Sequence, residues 1–374
     1  MIIAVNTKAT CKDELNEKDS FIFETFSRII KRHPEHTFVL ITEKKQKDLF
    51  SDLNNVINVA TGPFKKNTTQ WYIWYNIKIP GILKKYKVDI LVSYGTISSL
   101  RTKVPQCIIV PGLAFIHQPS SFKKSQLLFY KTFVPRSLKK AKAIITFSEF
   151  SRAEIIKQYK INSDKTAVVY KGVSQKFRQI TNEERENVKA KYADGNEYFI
   201  YAGIISQRKN LKNLLKAFSA FKKRQRSSMQ LIIAGNPGKQ FEQFKKSIDS
   251  YKFKKDIKLL NGLSQVETVK LIASSYAMVF PSVYEISANS LLKAMKCEVP
   301  VITSSTGAMP EICGDAALYF DLENYQDIAD KMMLIFKDEN LRKELIEKGK
   351  VRIKKYDWDN ASSLFWNLIL KTMN

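Results

Sequence analysis

Residues 277–317 read AMVFPSVYEISANSLLKAMKCEVPVITSSTGAMPEICGDAA, a stretch organised around a lone carboxylate, Glu285. An apolar run ends in a Pro-Ser turn, the acid follows, and a helical pattern and a second apolar run come after it. A carboxylate accepts hydrogen bonds and donates none, which suits it to holding hydroxyl groups. Placed between a strand and a helix, it lies at the carboxyl edge of an α/β sheet, where such sheets bind their ligands. Lys293 lies eight residues further on and offers donors only.

The elements that must position these residues recur along the whole chain. Short β-branched runs (Ile2–Val5, Thr37–Ile41, Val56–Ala60, Asp89–Ser93, Gln106–Val110, Ala143–Phe147 and Thr166–Tyr170) alternate with helical patterns at Phe21–Arg32, Trp71–Tyr86, Lys123–Lys140 and Glu149–Tyr159. The polar helical stretch Glu183–Ala193 and the turn Asp194-Gly195-Asn196 then reset the pattern. A second series follows, with strands at Tyr198–Ala202, Gln230–Ala234, Ile257–Leu260, Ala277–Phe280 and Val299–Thr303. Its helices are Leu211–Arg226, Gln240–Tyr251, Gln265–Ser274 and Ala288–Lys296, and the chain ends in helices at Tyr325–Phe336, Asn340–Lys354 and Trp358–Leu370. Two βα series predict an α/β protein of two doubly wound Rossmann-like domains with a ligand cleft between them. The expected boundaries are 1–175 and 196–356, followed by a terminal segment at 357–374.

The 374 residues suit two domains, and 44% hydrophobic composition is enough for real cores. No apolar run is long enough to span a membrane, and the start MIIAVN does not read as a signal peptide, so a cytoplasmic protein is expected. The four cysteines are far apart and read as reduced core residues. Three histidines are too few for a histidine-built metal site. The net charge of +26, from 62 Lys+Arg against 36 Asp+Glu, favours anionic partners such as phosphates, acidic lipid surfaces or nucleic acid. Lysine outnumbers arginine and no nucleic-acid-binding motif is present, so nucleic acid is an unlikely partner by composition.

The second half resembles the donor domain of GT-B glycosyltransferases of the retaining family 4 type. The motifs that carry the resemblance are Tyr201-Ala202-Gly203, Gln207-Arg208-Lys209-Asn210-Leu211, Ala234-Gly235 and Asn261-Gly262-Leu263-Ser264. They continue with Phe280-Pro281-Ser282-Val283-Tyr284-Glu285, Ala294-Met295-Lys296-Cys297, Pro300-Val301-Ile302-Thr303-Ser304 and Pro310–Ala317. The first half matches more loosely, through Val104-Pro105-Gln106, Leu113-Ala114-Phe115 and Ser148-Glu149-Phe150-Ser151. Tyr356-Asp357-Trp358 fits the family's last helix, which packs back on the N-terminal domain.

The resemblance implies a glycosyltransferase that moves a hexose from a nucleotide-diphosphate sugar to a cell-surface glycan or lipid-linked acceptor. It implies retention of configuration, with the sugar nucleotide as co-substrate and no metal or other cofactor. The first domain would be the acceptor side and the second the donor side. Arg208 and Lys209, at the start of a helix, would hold the diphosphate, because basic residues and helix N-termini stabilise the anion that develops there. Glu285 would hold donor-sugar hydroxyls, at about 1.5–3 kcal/mol per charged hydrogen bond. Gly203, Asn210, Gly262, Leu263, Ser290, Leu291 and Lys293 would line the donor pocket, Gly262 allowing close backbone approach to the base.

Three features depart from the family. Its Glu-x7-Glu pattern places a second acid at the position of Lys293, where it accepts from the ribose diol; a lysine removes that acceptor. The family's glycine loop after the first strand is replaced by Lys12–Ser20, and the first glycine of the chain is Gly62. The family's His-Asp after the strand Gln106–Val110 is replaced by Pro111-Gly112, leaving His117 as an acceptor-side candidate. Together they open an alternative, a non-catalytic GT-B homologue acting as partner or scaffold subunit of another glycosyltransferase. Finally, residues 121–142, SFKKSQLLFYKTFVPRSLKKAK, interleave lysines with Leu127, Leu128, Phe129, Tyr130 and Phe133, and Pro135 is expected to break or kink their helix. That pattern suits docking on an anionic membrane, so a peripheral location on the inner face of the plasma membrane is expected.

Overall fold

The computed structural model describes residues 1–7, 21–42, 50, 53–61, 67–119 and 122–373. The replaced glycine loop, residues 12–20, lies outside them, as does Ser121 of the basic stretch. The chain forms two compact units, Met1–Gly172 with Trp358–Asn374, and Val173–Asp357.

The first unit holds seven parallel strands: β1 (Ile2–Asn6), β2 (Thr37–Thr42), β3 (Val56–Ala60), β4 (Ile90–Tyr94), β5 (Gln106–Ile109), β6 (Ala143–Thr146) and β7 (Thr166–Val168). Their order is β3-β2-β1-β4-β5-β6-β7. The helices are α1 (Phe21–Arg32), α2 (Thr68–Ile73), α3 (Ile79–Lys85), α4 (Ala114–His117), α5 (Lys124–Lys140) and α6 (Glu149–Tyr159). The second unit starts with α7 (Asn182–Ala193) and has six parallel strands: β8 (Tyr198–Ala202), β9 (Gln230–Ala234), β10 (Ile257–Leu260), β11 (Ala277–Phe280), β12 (Val301–Ser304) and β13 (Ala317–Phe320). Their order is β10-β9-β8-β11-β12-β13. Its other helices are α8 (Leu211–Gln225), α9 (Phe241–Ile248), α10 (Gln265–Ala273), α11 (Asn289–Lys296), α12 (Met309–Cys313), α13 (Tyr325–Lys337) and α14 (Glu339–Ile353).

Strands β1, β4, β8, β9 and β11 are buried along nearly their whole length, as expected where helices cover both faces of a parallel sheet. In each sheet the order reverses once, between β1 and β4 and between β8 and β11. In sheets of this kind ligands bind at the carboxyl edge where the order reverses.

The terminal helix α15 (Trp358–Met373) returns to the first unit. Trp358, Ala361, Phe365 and Ile369 form its buried stripe. Phe365 lies 5.5 Å from the Phe21 ring and 5.6 Å from that of Phe26, on α1. Gly172 lets the chain pass under this helix, since a Cβ there would come within 2.6 Å of Trp358.

Several elements differ from the sequence reading. Helix α5 runs through Pro135 unbroken, with Val134 and Leu138 buried on either side of it. The Trp71–Tyr86 helix contains a π-helical turn, Trp74–Lys78, ahead of Pro80. The wider turn accommodates a residue with no N–H and a ring that crowds the preceding carbonyls. Strand β13 is not among the expected strands; it has four residues and pairs with β12 at the sheet edge. The 176–195 segment, outside both expected domains, is part of the second unit through α7, whose Tyr192 hydroxyl donates to Glu267 on α10 at 2.7 Å.

Replacing Phe365 with alanine should remove about 3–5 kcal/mol, the usual cost of emptying an aromatic site in a packed core. Urea denaturation monitored by circular dichroism reads this, and a cost under about 1 kcal/mol would show that α15 is only loosely docked.

Candidate functional site

The carboxyl edge between β8 and β11 is where the chemistry gathers. The loop after β8 carries Arg208 and Lys209 in a 3-10 turn, Gln207–Lys209, and α8 begins only at Leu211. The two basic residues therefore precede the helix instead of forming its first turn. Asn210 separates them from it in left-handed conformation (φ 52°), and its side-chain amide donates to Leu322 O at 3.2 Å.

The loop after β11 brings Glu285 to the same place. Arg208 Nη1 lies 2.6 Å from Glu285 Oε1 and also donates to Tyr284 O. Lys209 Nζ pairs with the same carboxylate oxygen. Ser282 Oγ donates to that oxygen at 2.5 Å. Val283 N donates back to Arg208 O at 2.9 Å, so the two loops are tied in both directions.

Lys209 is only 6% exposed, and its Nζ stands 4.7 Å from the centre of the Phe280 ring. Burial lowers its pKa, and the Glu285 charge opposes that shift. Tyr201 stacks on Phe280 at 5.6 Å and donates to Ile204 O at 2.9 Å. Burial, and then the Glu285 charge, push its phenol well above the usual range, so it stays neutral.

A third loop, after β12, fixes the backbone of Glu285. Ser304 Oγ donates to Ser282 O at 2.7 Å and Thr306 Oγ1 to Val283 O at 2.9 Å. Ala308 N donates to Glu285 O at 2.9 Å. Gly307 (φ 60°) makes this approach possible, because a Cβ there would lie 2.8 Å from Glu285 O. Ser282, Tyr201, Phe280 and Gly307 were not singled out in the sequence. The Pro-Ser turn and the Ser-Thr-Gly run were the available signals.

The remaining candidates separate. Gly203 is confined by Tyr201, whose hydroxyl would lie 2.9 Å from a Cβ. Gly262 needs its glycine for a positive φ of 68°, and no atom lies within 4 Å of the position a Cβ would take. Leu263 and Ser290 are half-buried, whereas Leu291 lies in the core with its N–H donated to Ala288 O at 2.9 Å. Lys293 lies with its Nζ 4.8 Å from the centre of the Phe177 ring. His117 Nε2 pairs with Glu154 on α6 at 2.6 Å. A cavity of about 430 Å³ opens beside the Arg208 turn, lined by Ser206, Gln207, Asn210, Lys216, Lys239 and Val283; the charged trio itself does not line it. In the first unit, Phe129 and Tyr130 of the basic stretch are buried, leaving Leu128 exposed among the lysines. The trio combines two cations with one carboxylate, an arrangement able to bind a multivalent anion and still present an oxygen to hydroxyl groups.

The model for glycosyl transferases group 1 matches residues 182–352, and that for glycosyltransferase family 4 matches residues 29–177. Over 246 residues the chain is 27% identical to the O-antigen chain mannosyltransferase B of Escherichia coli, covering 66% of this chain and 65% of that one, just under two thirds. It is 25% identical over 342 residues to the O-antigen chain mannosyltransferase RfbU of Salmonella typhimurium, covering 89% and 90%. In structure it is similar to Anabaena Alr3699/HepE in complex with UDP-glucose, with a TM-score of 0.75, 13% identity and 98% coverage of both chains. With both halves matched and the two-sheet architecture in place, the chain belongs to the GT-B glycosyltransferases of the group 1, family 4 type.

Because Lys209 is buried against Glu285, Glu285→Ala should destabilise the protein by about 3 kcal/mol, the scale for stranding one member of a buried pair. The double variant Lys209→Met/Glu285→Ala, set beside Lys209→Met alone, should recover at least half of that cost. Urea midpoints of the single and double variants measure the coupling, and simple additivity would show that the two groups do not depend on one another.

Proposed function

We propose that the chain is a retaining, metal-independent glycosyltransferase that moves mannose from a nucleotide-diphosphate sugar to a growing surface glycan or lipid-linked acceptor. The observation that carries this reading is the convergence of Arg208, Lys209 and Glu285 at the order reversal of the second sheet. In such a transfer the acceptor hydroxyl oxygen forms a new C–O bond to the anomeric carbon and gives up its proton to the departing diphosphate or to water, while the sugar–diphosphate C–O bond breaks and its electron pair leaves with the diphosphate. Arg208 and Lys209, the second of them buried, stabilise that charge as it develops. Glu285 accepts hydrogen bonds from the sugar hydroxyls and keeps the two cations in place meanwhile. The mannosyl assignment rests on the two O-antigen mannosyltransferase relatives.

The first unit would serve the acceptor, next to an anionic membrane. A cavity of about 680 Å³ beside α5 has apolar walls from Phe115, Ile116, Leu127 and Pro135 with Lys131 and Lys139 at its rim. With Leu128 exposed nearby, this surface suits an amphiphile with an anionic head.

A second reading, a binding subunit without catalysis, draws on Lys293, which offers a ribose no acceptor and rests over Phe177. Calorimetry with GDP, UDP, ADP and their common sugar conjugates, followed by a transfer assay, separates the two. The first reading expects micromolar binding of GDP-mannose, with turnover reduced more than about 100-fold in Glu285→Ala. It also expects Lys293→Glu to tighten nucleotide binding by about 10–100-fold, the worth of one restored charged acceptor. Binding without turnover in the presence of acceptor lipid would support the subunit reading, and no binding at millimolar nucleotide would sink the donor site itself.

On vesicles containing anionic lipid, Leu128→Glu and the pair Lys131→Glu/Lys139→Glu should each reduce co-sedimentation several-fold, the charge pair losing about 1 kcal/mol per lysine. Equal sedimentation of parent and variants would rule out this face as the membrane contact.

A further inference from the structure

We propose that His33, Glu35 and His36 form a binding site for a divalent transition metal of the zinc type, at the side of the first unit away from the carboxyl edge of its sheet. The composition argued against such a site, with three histidines in the chain. The fold nevertheless brings two of them together with a carboxylate in one rigid turn.

His33-Pro34-Glu35-His36 joins α1 to β2 at the amino end of that strand. His36 N donates to His33 O at 3.2 Å, closing a turn whose second position is proline, the residue that pre-sets φ there. Asn55 fixes the turn from outside: its Nδ2 reaches Ile30 O at 3.2 Å, His33 O at 3.4 Å and His36 O at 3.2 Å. The two imidazoles are stacked along the Trp366 indole. His33 lies 4.0 Å from it at 19°, His36 5.2 Å from it at 29°, and the two rings are 14° from parallel. Backbone and ring planes are thus both set before any ligand arrives, which reduces the ordering cost of binding.

The donor atoms stand at the spacing that a metal requires. His33 Nδ1 lies 3.3 Å from Glu35 Oε1, and His36 Nε2 lies 3.4 Å from the same oxygen. Tetrahedral zinc, with bonds of about 2.0–2.1 Å, has ligand atoms roughly 3.4 Å apart. Two edges of that tetrahedron are therefore present, and all three donor atoms fall within 4.8 Å of one another. His36 Nε2 is the ring nitrogen that faces Glu35, at 3.4 Å, and is the one placed to coordinate. Two imidazoles and one carboxylate suit zinc, nickel, cobalt or copper and do not suit magnesium or calcium, which take oxygen ligands. Binding is simple coordination: the neutral imidazoles and the carboxylate each give a lone pair, and any proton on a coordinating nitrogen is released. The fourth position is left to water. At the amino end of β2, such an ion would brace the α1–β2 turn against α15 and would take no part in glycosyl transfer.

The test is calorimetric titration of the chelator-treated full-length chain with zinc chloride, repeated with cobalt and followed by its visible absorption. One equivalent should bind with a Kd of micromolar order, and the unfolding midpoint should rise with zinc. His33→Phe/His36→Phe keeps aromatic rings over Trp366 but removes both nitrogens, and should abolish binding. Glu35→Gln changes an exposed side chain and should weaken binding about 10-fold or more while leaving the metal-free midpoint unchanged. No binding at about 100 μM zinc, or equal binding by the parent and both variants, would overturn the proposal.

Discussion

The ammonium of Lys209 lies almost wholly out of water, and the site in the second unit is built around that constraint. A buried cation is costly unless a carboxylate and further polar groups meet it. Glu285 meets it, so Glu285 must be held in position, and that requirement propagates outward. The turn Pro281–Tyr284 is pinned from β12 by the hydroxyls of Ser304 and Thr306, and the loop beyond can lie against Glu285 only because residue 307 is glycine. Below, the Phe280 ring supplies a second favourable surface for the charge. Arg208 shares the carboxylate at its more exposed end, so the cluster keeps a net positive charge and an anion meets dipoles and charges that are already oriented.

The same region shows how closely the loops must approach. Gly235 follows β9 with its backbone against Gly203, where a Cβ would lie 1.7 Å from Gly203 O. Ala288, just before α11, has φ 41° without being glycine, a conformation that costs a non-glycine residue about 1–2 kcal/mol. Strain of this kind persists where surrounding contacts determine the backbone. Here Ala288 is buried, its carbonyl accepts from Leu291 N at 2.9 Å, and Leu291 and Leu292 of α11 are buried beside it in sequence.

Much of this fold was legible because parallel strands buried on both faces read as unbroken apolar runs. Tyr198–Ala202, Gln230–Ala234 and Ala277–Phe280 could be bounded to the residue for that reason. The edge strand β13 is an apolar run too, ALYF, but it is only half-buried at Leu318 and Tyr319. Glu285 could be assigned to a loop from turn chemistry alone, whereas the basic pair, expected at the start of a helix, sits in a 3-10 turn ahead of it. Their mutual contact was not legible, because Lys209 and Glu285 are 76 residues apart and meet only through the adjacency of β8 and β11, which are not consecutive strands. The aromatic residues among the lysines of α5 look amphipathic in sequence, yet Phe129 packs 5.5 Å from Trp71 and belongs to the core. The histidine count likewise carries no information about which side chains share a turn, and His33 and His36 meet Glu35 within one.

Lys293 is where the proposed function is most exposed to quantity. As the family's ribose-binding position it has exchanged an acceptor for a cation, and the question is whether added charge can replace lost hydrogen bonds. Its ammonium is held over the Phe177 ring, an interaction of about 0.5–1 kcal/mol that favours keeping it there. Through water-like dielectric, one unit charge acting over about 8 Å gains roughly 0.5 kcal/mol, less with salt. A carboxylate accepting two ribose hydroxyls contributes about 1.5–3 kcal/mol per bond. Long-range attraction therefore cannot replace the missing acceptor. Under the proposed function, donor affinity then rests on Arg208 and Lys209 toward the diphosphate and on Glu285 toward the sugar, so that the sugar and its leaving group, and less the ribose, would be the parts of the donor that are recognised.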